Sequence, residues 1–190
     1  MAKLFFRYSA MNAGKSTSLL QIAYNYEEQG QRVQLYTARI DDRSGVGSIA
    51  SRLGIQRQAE TFDEHTNFES LLRQQDGLAC VLIDEAQFLQ PEQVRQLHRI
   101  AHMANIPAIC FGLRSDFQGK PFDGAAHLLT LADDIEEIKT ICACGRKATM
   151  NVRVDDEGKR VREGEQVVIG GNNRYQQACA RCFYEGAKDS

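Results

Sequence analysis

The sequence predicts an α/β protein, a parallel sheet with flanking helices, followed by a small cysteine-bound appendage. Three observations carry this. Apolar runs at residues 4–8, 78–83 and 106–111 alternate with stretches of helical spacing across residues 3–140, the order expected of a parallel sheet with crossover helices. The run Leu78-Ala79-Cys80-Val81-Leu82-Ile83 contains no charged or amide side chain, as expected of a strand covered on both faces. Near Lys139 the alternation stops, and short β-like pieces (149–154 and 166–169) appear between charged turns and two close cysteine pairs. The predicted division is a core at 1–139 and an appendage at 140–190.

The remaining core elements follow in order. Residues 4–8 form the first strand. Residues 18–23 continue a helix, which the Glu27-Glu28-Gln29-Gly30 stretch ends, Gly30 serving as its C-cap. Residues 32–37 alternate and read as a second strand. The polar, glycine-containing stretch 41–48 reads as a loop, and 59–62 as a short strand. Phe68, Leu71 and Leu72 mark one side of a short helix. Pro91 opens a longer one, along which Val94, Leu97, Ile100, Ala101 and Ala104 keep helical spacing.

Composition bounds the function. The 190 residues carry a net charge of −2 and are 43% hydrophobic. This is not the profile of a strongly basic nucleic-acid binder. No apolar run approaches the roughly 18 residues of a membrane span. Met1-Ala2-Lys3 leads directly into the first strand, which leaves no room for a signal peptide. The expected location is the cytoplasm.

The chemistry-bearing stretch is Ser9-Ala10-Met11-Asn12-Ala13-Gly14-Lys15-Ser16-Thr17, between the first strand and the first helix. Strand, small-residue loop, Gly-Lys-Ser and helix form the P-loop arrangement, so the core is P-loop NTPase-like. A helix N-terminus has unpaired N–H groups and partial positive charge, and therefore holds phosphate. Lys15 would reach the β- and γ-phosphates, and Ser16 would offer its hydroxyl to Mg²⁺. Ser9 stands where the motif usually has Gly. Asp84, at the end of an apolar strand, is the expected Mg²⁺ partner. Glu85 directly follows, where a carboxylate could orient or deprotonate the attacking oxygen. That oxygen belongs to water in an ATPase and to a substrate hydroxyl in a small-molecule kinase. The motif does not decide between them.

Six cysteines occur. Cys80 and Cys110 sit in apolar runs and read as buried hydrophobes. Cys142, Cys144, Cys179 and Cys182 supply four soft ligands, enough for a closed structural Zn²⁺ site. Between those pairs lies Val168-Ile169-Gly170-Gly171-Asn172, with Tyr175 beyond. The pattern alone favours a hairpin turn there. Phe117 and Phe122 occupy a polar loop after a strand end, placed equally well to cover a ligand or to anchor the loop. His98 and His102 share one helix face, but no third ligand is apparent, so they read as a solvated face.

Taken together, these residues resemble the cellular-type (type II) thymidine kinase family in its bacterial form. The likeness rests on the 9–17 loop, on Asp84-Glu85-Ala86-Gln87-Phe88, on Phe117 with Pro121-Phe122, and on 168–175 held between the cysteine pairs. It implies transfer of the ATP γ-phosphoryl group to the 5′-hydroxyl of thymidine, giving the monophosphate in nucleotide salvage. Glu85 matches the general base, with Lys15 and Arg43 as catalytic partners. Ser9, Ala10, Met11, Asn12, Ala13, Gly14, Lys15, Ser16, Asp84, Glu85, Ala86 and Gln87 match the ATP and Mg²⁺ site. Met11, Phe88, Leu113, Phe117, Phe122, Val168, Ile169, Gly170, Gly171 and Tyr175 match the thymidine pocket, the 168–175 stretch being a lasso over the nucleoside. The resemblance further implies a homotetramer inhibited by thymidine triphosphate (dTTP).

Overall fold

The computed structural model describes residues 1–41, 45–73, 75–167 and 174–185. Its core is built from β1 (Leu4–Ser9), α1 (Lys15–Glu28), β2 (Arg32–Ala38), β3 (Ser48–Ala50), β4 (Gln56–Gln58), β5 (Glu60–Phe62), α2 (Phe68–Leu72), β6 (Leu78–Ile83), α3 (Pro91–Met103), β7 (Ala108–Leu113), α4 (Asp123–Leu131) and β8 (Asp134–Glu137). β9 (Thr140–Ile141), β10 (Lys147–Ala148), β11 (Met150–Val154), β12 (Arg160–Val161), β13 (Tyr175–Ala178) and α5 (Ala180–Glu185) form the appendage.

Six strands make one sheet in the order β5-β2-β6-β7-β1-β8, and every pairing in it is parallel. Both faces are covered, and the alternation of the strand residues shows how. Leu4, Phe6, Val81, Ile83, Ala108 and Cys110 pack on one face beneath α2, α3 and α4. Cys80, Leu82, Ile109 and Phe111 pack on the other against Leu19, Leu20 and Ala23 of α1. Side chains on a strand alternate between faces, so a run apolar at every position is what a two-sided burial requires. Cys80 and Cys110 are fully buried within it.

α1 ends at Glu28 with Gln29 as its C-cap, one residue before the predicted Gly30. Gly30 adopts φ +70° and its N–H donates to the Glu27 carbonyl, a conformation glycine reaches without strain. α3 begins with Pro91 and a reciprocal cap, in which the Gln90 N–H donates to Gln93 Oε1 at 2.9 Å. The loop predicted at 41–48 runs into an antiparallel hairpin, β3 with β4. Its strands are three residues each, too short for the period to register. Gln166 and Val167, predicted to begin a strand, are not in regular structure.

The appendage is a three-stranded antiparallel sheet, β12-β11-β13, beside the small β9–β10 hairpin. It has its own apolar cluster of Cys142, Ala148, Val152, Ala178, Cys179 and Phe183. Ala10 of the P-loop belongs to the same cluster.

Candidate active site

The strand carrying the P-loop and the strand carrying Asp84 are separated by β7, and all three end on the same edge of the sheet. Ligands collect at that edge in open α/β sheets. Gly14 caps α1 at φ +83° and Asn12 stands at φ +62°. The left-handed positions of the loop therefore fall on these two residues. Ser9, which replaces the usual glycine, is the last residue of β1. Its side chain has a local use. The Ser9 hydroxyl is buried, donates to the Ala10 carbonyl at 2.6 Å, and accepts from Lys15 Nζ at 3.0 Å.

Ser16 Oγ donates to Asp84 Oδ2 at 2.9 Å. Asp84 is buried, and that desolvation, reinforced by the neighbouring Glu85 charge, raises its carboxyl to about 7. A buried carboxylate beside a hydroxyl suits a hard divalent cation, whose charge would restore the ionised form. Glu85 takes φ +53°, ψ +38°. A non-glycine residue in this region is strained, and such strain clusters at functional positions. The buried Gln87 holds the carboxylate: its Nε2 donates to Glu85 Oε2, while its Oε1 accepts the Leu113 N–H at 3.1 Å. Gly112 makes room for this bridge, since a Cβ there would lie 2.8 Å from Gln87 Oε1.

Part of this assembly borders a cavity of about 580 Å³, lined by Met11 to Ser18, Asp84, Glu85 and Leu113. Asp41 and the 48–53 hairpin close another side. Sequence reasoning missed this wall, because the hairpin carries no motif. Ser9, Ala10, Ala86 and Gln87 do not line the cavity; all four are buried.

The aromatic candidates fall into two pairs outside the cavity lining. Phe88 and Phe122 meet edge to face at 5.8 Å, Phe122 buried in the core. Phe117 is buried, with Tyr175 6.5 Å away and the Arg153 guanidinium 4.0 Å over its ring. Both phenylalanines thus anchor their loop. Arg153 also donates to the Glu163 and Glu165 carbonyls, and Asp116 Oδ2 accepts from Gln166. The stretch leading toward residue 168 is fixed at its base by these two side chains, neither of which the sequence singled out. Arg43, Val168, Ile169, Gly170 and Gly171 lie outside the described residues.

The appendage grips the phosphate loop directly. Asn151, buried on β11, accepts the Met11 N–H on Oδ1 at 2.8 Å and donates from Nδ2 to the Ser115 carbonyl at 3.0 Å. Asn12 donates to Gln177 of β13 at 2.9 Å.

The ligand atoms of Cys142, Cys144, Cys179 and Cys182 all lie within 4.8 Å of one another. Backbone donation from Cys182 lowers the Cys179 thiol to about 6, whereas Cys182, hydrogen-bonded to Cys144 and Cys179, is pushed up to about 12. Four cysteine sulfurs gathered this closely fit a tetrahedral zinc ion.

A family model for thymidine kinase matches residues 2–183. The chain belongs to the thymidine kinase family. Among curated relatives, the thymidine kinase of Chromobacterium violaceum is 65% identical over 184 residues, covering 97% of this chain and 99% of that one. Those of Albidiferax ferrireducens and Shewanella oneidensis are 59% and 55% identical, over 97% of this chain and 93% and 98% of theirs. As a thymidine kinase family member it is a kinase with a nucleotide-binding fold and a four-cysteine cluster suited to zinc. Among its described residues no helix is long and apolar enough to cross a membrane.

Proposed function

We propose that this chain transfers the γ-phosphoryl group of ATP to the 5′-hydroxyl of thymidine. The observation that carries the reading is the meeting of P-loop, Asp84 and Glu85 on one cavity in a thymidine kinase family chain. The loop N–H groups and Lys15 bind the phosphates, Lys15 leaving its hold on Ser9 to do so. Glu85 accepts the proton of the 5′-hydroxyl. That oxygen forms a bond to the γ-phosphorus as the bond from phosphorus to the β–γ bridging oxygen breaks, and ADP leaves with the electron pair. Ser16 and Asp84 are the groups that would hold Mg²⁺, which when bound offsets phosphate charge. Arg43 assists near the acceptor hydroxyl. Met11 and Leu113 border the nucleoside, with the 168–175 segment as the lasso over it, and Phe88, Phe117, Phe122 and Tyr175 support its walls.

Zinc on the four cysteines makes residues 140–190 a tied unit beside the 1–139 core. The protein works in the cytoplasm, as a homotetramer inhibited by dTTP. The test offers labelled ATP and Mg²⁺ with thymidine, deoxycytidine, DNA or nothing. Thymidine monophosphate is expected with thymidine. Hydrolysis dependent on DNA, or no turnover with any acceptor, refutes the reading.

A further inference from the structure

The structure brings a carboxylate to His98 and His102, beside which the sequence shows no third candidate ligand. His98 and His102 stand one turn apart near the end of α3, their rings 4.5 Å apart. Asp133, between α4 and β8, meets them: its two carboxylate oxygens lie 3.2 and 3.1 Å from His102 Nε2. The ligand atoms of all three residues fall within 4.8 Å of one another. We propose that His98, His102 and Asp133 form a second metal site, selective for a borderline divalent transition ion such as Zn²⁺, Ni²⁺ or Co²⁺.

Four features support it. Two imidazoles and a carboxylate match the preferences of these ions, and three protein ligands leave a fourth position for water. Donors around one tetrahedral ion with bonds of about 2.1 Å lie about 3.4 Å apart. His102 Nε2 and Asp133 Oδ2 are in direct contact at 3.1 Å, close to that separation, and the His98 ligand atom lies within 4.8 Å of both. The carboxylate is held from behind: Asp133 Oδ2 accepts the Leu4 N–H at 2.8 Å, and the Asp133 N–H donates to the Leu4 carbonyl at 2.9 Å. An outer contact that orients a ligand is typical of built metal sites. The side chains of His102 and Asp133 are about one quarter exposed (23% and 25%), so an ion can enter.

The site lies at the opposite end of the strands from the P-loop. Asp133 precedes Asp134, which pairs with Phe5 at the start of β1. An ion there takes no part in phosphoryl transfer. It would tie the last turn of α3 to the β1–β8 edge, and it would stabilise the fold in proportion to its concentration.

Equilibrium dialysis of the zinc-loaded protein against low-micromolar free Zn²⁺, followed by metal counting, tests this. Two equivalents per chain are expected for wild type and one for His98→Ala. Added Ni²⁺ should raise the Tm of wild type and leave that of His98→Ala unmoved. A wild-type count of one, or a second equivalent that persists in His98→Ala, overturns the proposal. Should His98→Ala not fold, His98→Gln gives the same count, and the wild-type count stands independently of either variant.

Discussion

Gln87→Met separates two readings of one side chain. The sequence resemblance puts Gln87 among the ATP-site residues, whereas the structure buries it between Glu85 and the Leu113 N–H. Methionine keeps the length and loses both hydrogen bonds. A hydrogen bond to a charged group is worth about 1.5–3 kcal/mol, and each 1.36 kcal/mol at the barrier is about tenfold in rate. If Gln87 holds Glu85 in its strained backbone conformation, kcat should fall about 10- to 100-fold. KM for ATP should stay nearly unchanged, because Gln87 does not line the cavity. Leaving the Leu113 N–H without its acceptor costs about 1–3 kcal/mol, a Tm drop of about 2–4 °C for each kcal/mol in a chain this size. Steady-state kinetics with ATP varied at saturating thymidine, alongside a melt, reads both effects. A raised ATP KM with unchanged kcat would refute the positioning argument and restore Gln87 to the ATP site.

Three further outcomes are expected. Glu85→Gln should retain ATP binding in a titration while losing about 10²–10⁴ in kcat, the usual worth of a general base; full turnover removes Glu85 from that role. Chelation of zinc should loosen the β12-β11-β13 sheet, and with it the Asn151 and Gln177 hold on Met11 and Asn12. ATP binding should weaken and return with added zinc, and an ATP affinity indifferent to chelator would break the link. Asp84→Asn should raise the Tm of the Mg²⁺-free protein at pH 8 and change it little at pH 4. The raised folded-state carboxyl, near 7 against about 4 unfolded, penalises the folded state above pH 7, and the penalty vanishes as pH falls through that window. Equal effects at both pH values would refute it.

Much of the fold was legible because burial writes a period into sequence. The unbroken apolar run at 78–83 had to be an interior strand, and Gly14-Lys15-Ser16 after a strand had to open a helix. The β3–β4 hairpin escaped because three-residue strands hold too little of a period. Asp133 escaped as a partner of His98 and His102 because the meeting depends on how α3 and β8 cross the sheet, at 31 residues' distance from His102. Asn151 and Arg153 escaped for a related reason. A buried polar residue on a short strand looks like any exposed one until its partners are known.

The hydrogen bond from Met11 to Asn151 bears on how the chain could be cut. A truncation at residue 139 respects the change in sequence pattern, yet it would strip Ala10 of its apolar neighbours and leave the Met11 N–H facing solvent where a side-chain amide had fixed it. The nucleotide loop is therefore finished by residues supplied about 140 positions later in the chain. During synthesis, the Met11 N–H meets its side-chain partner only once Asn151 has emerged.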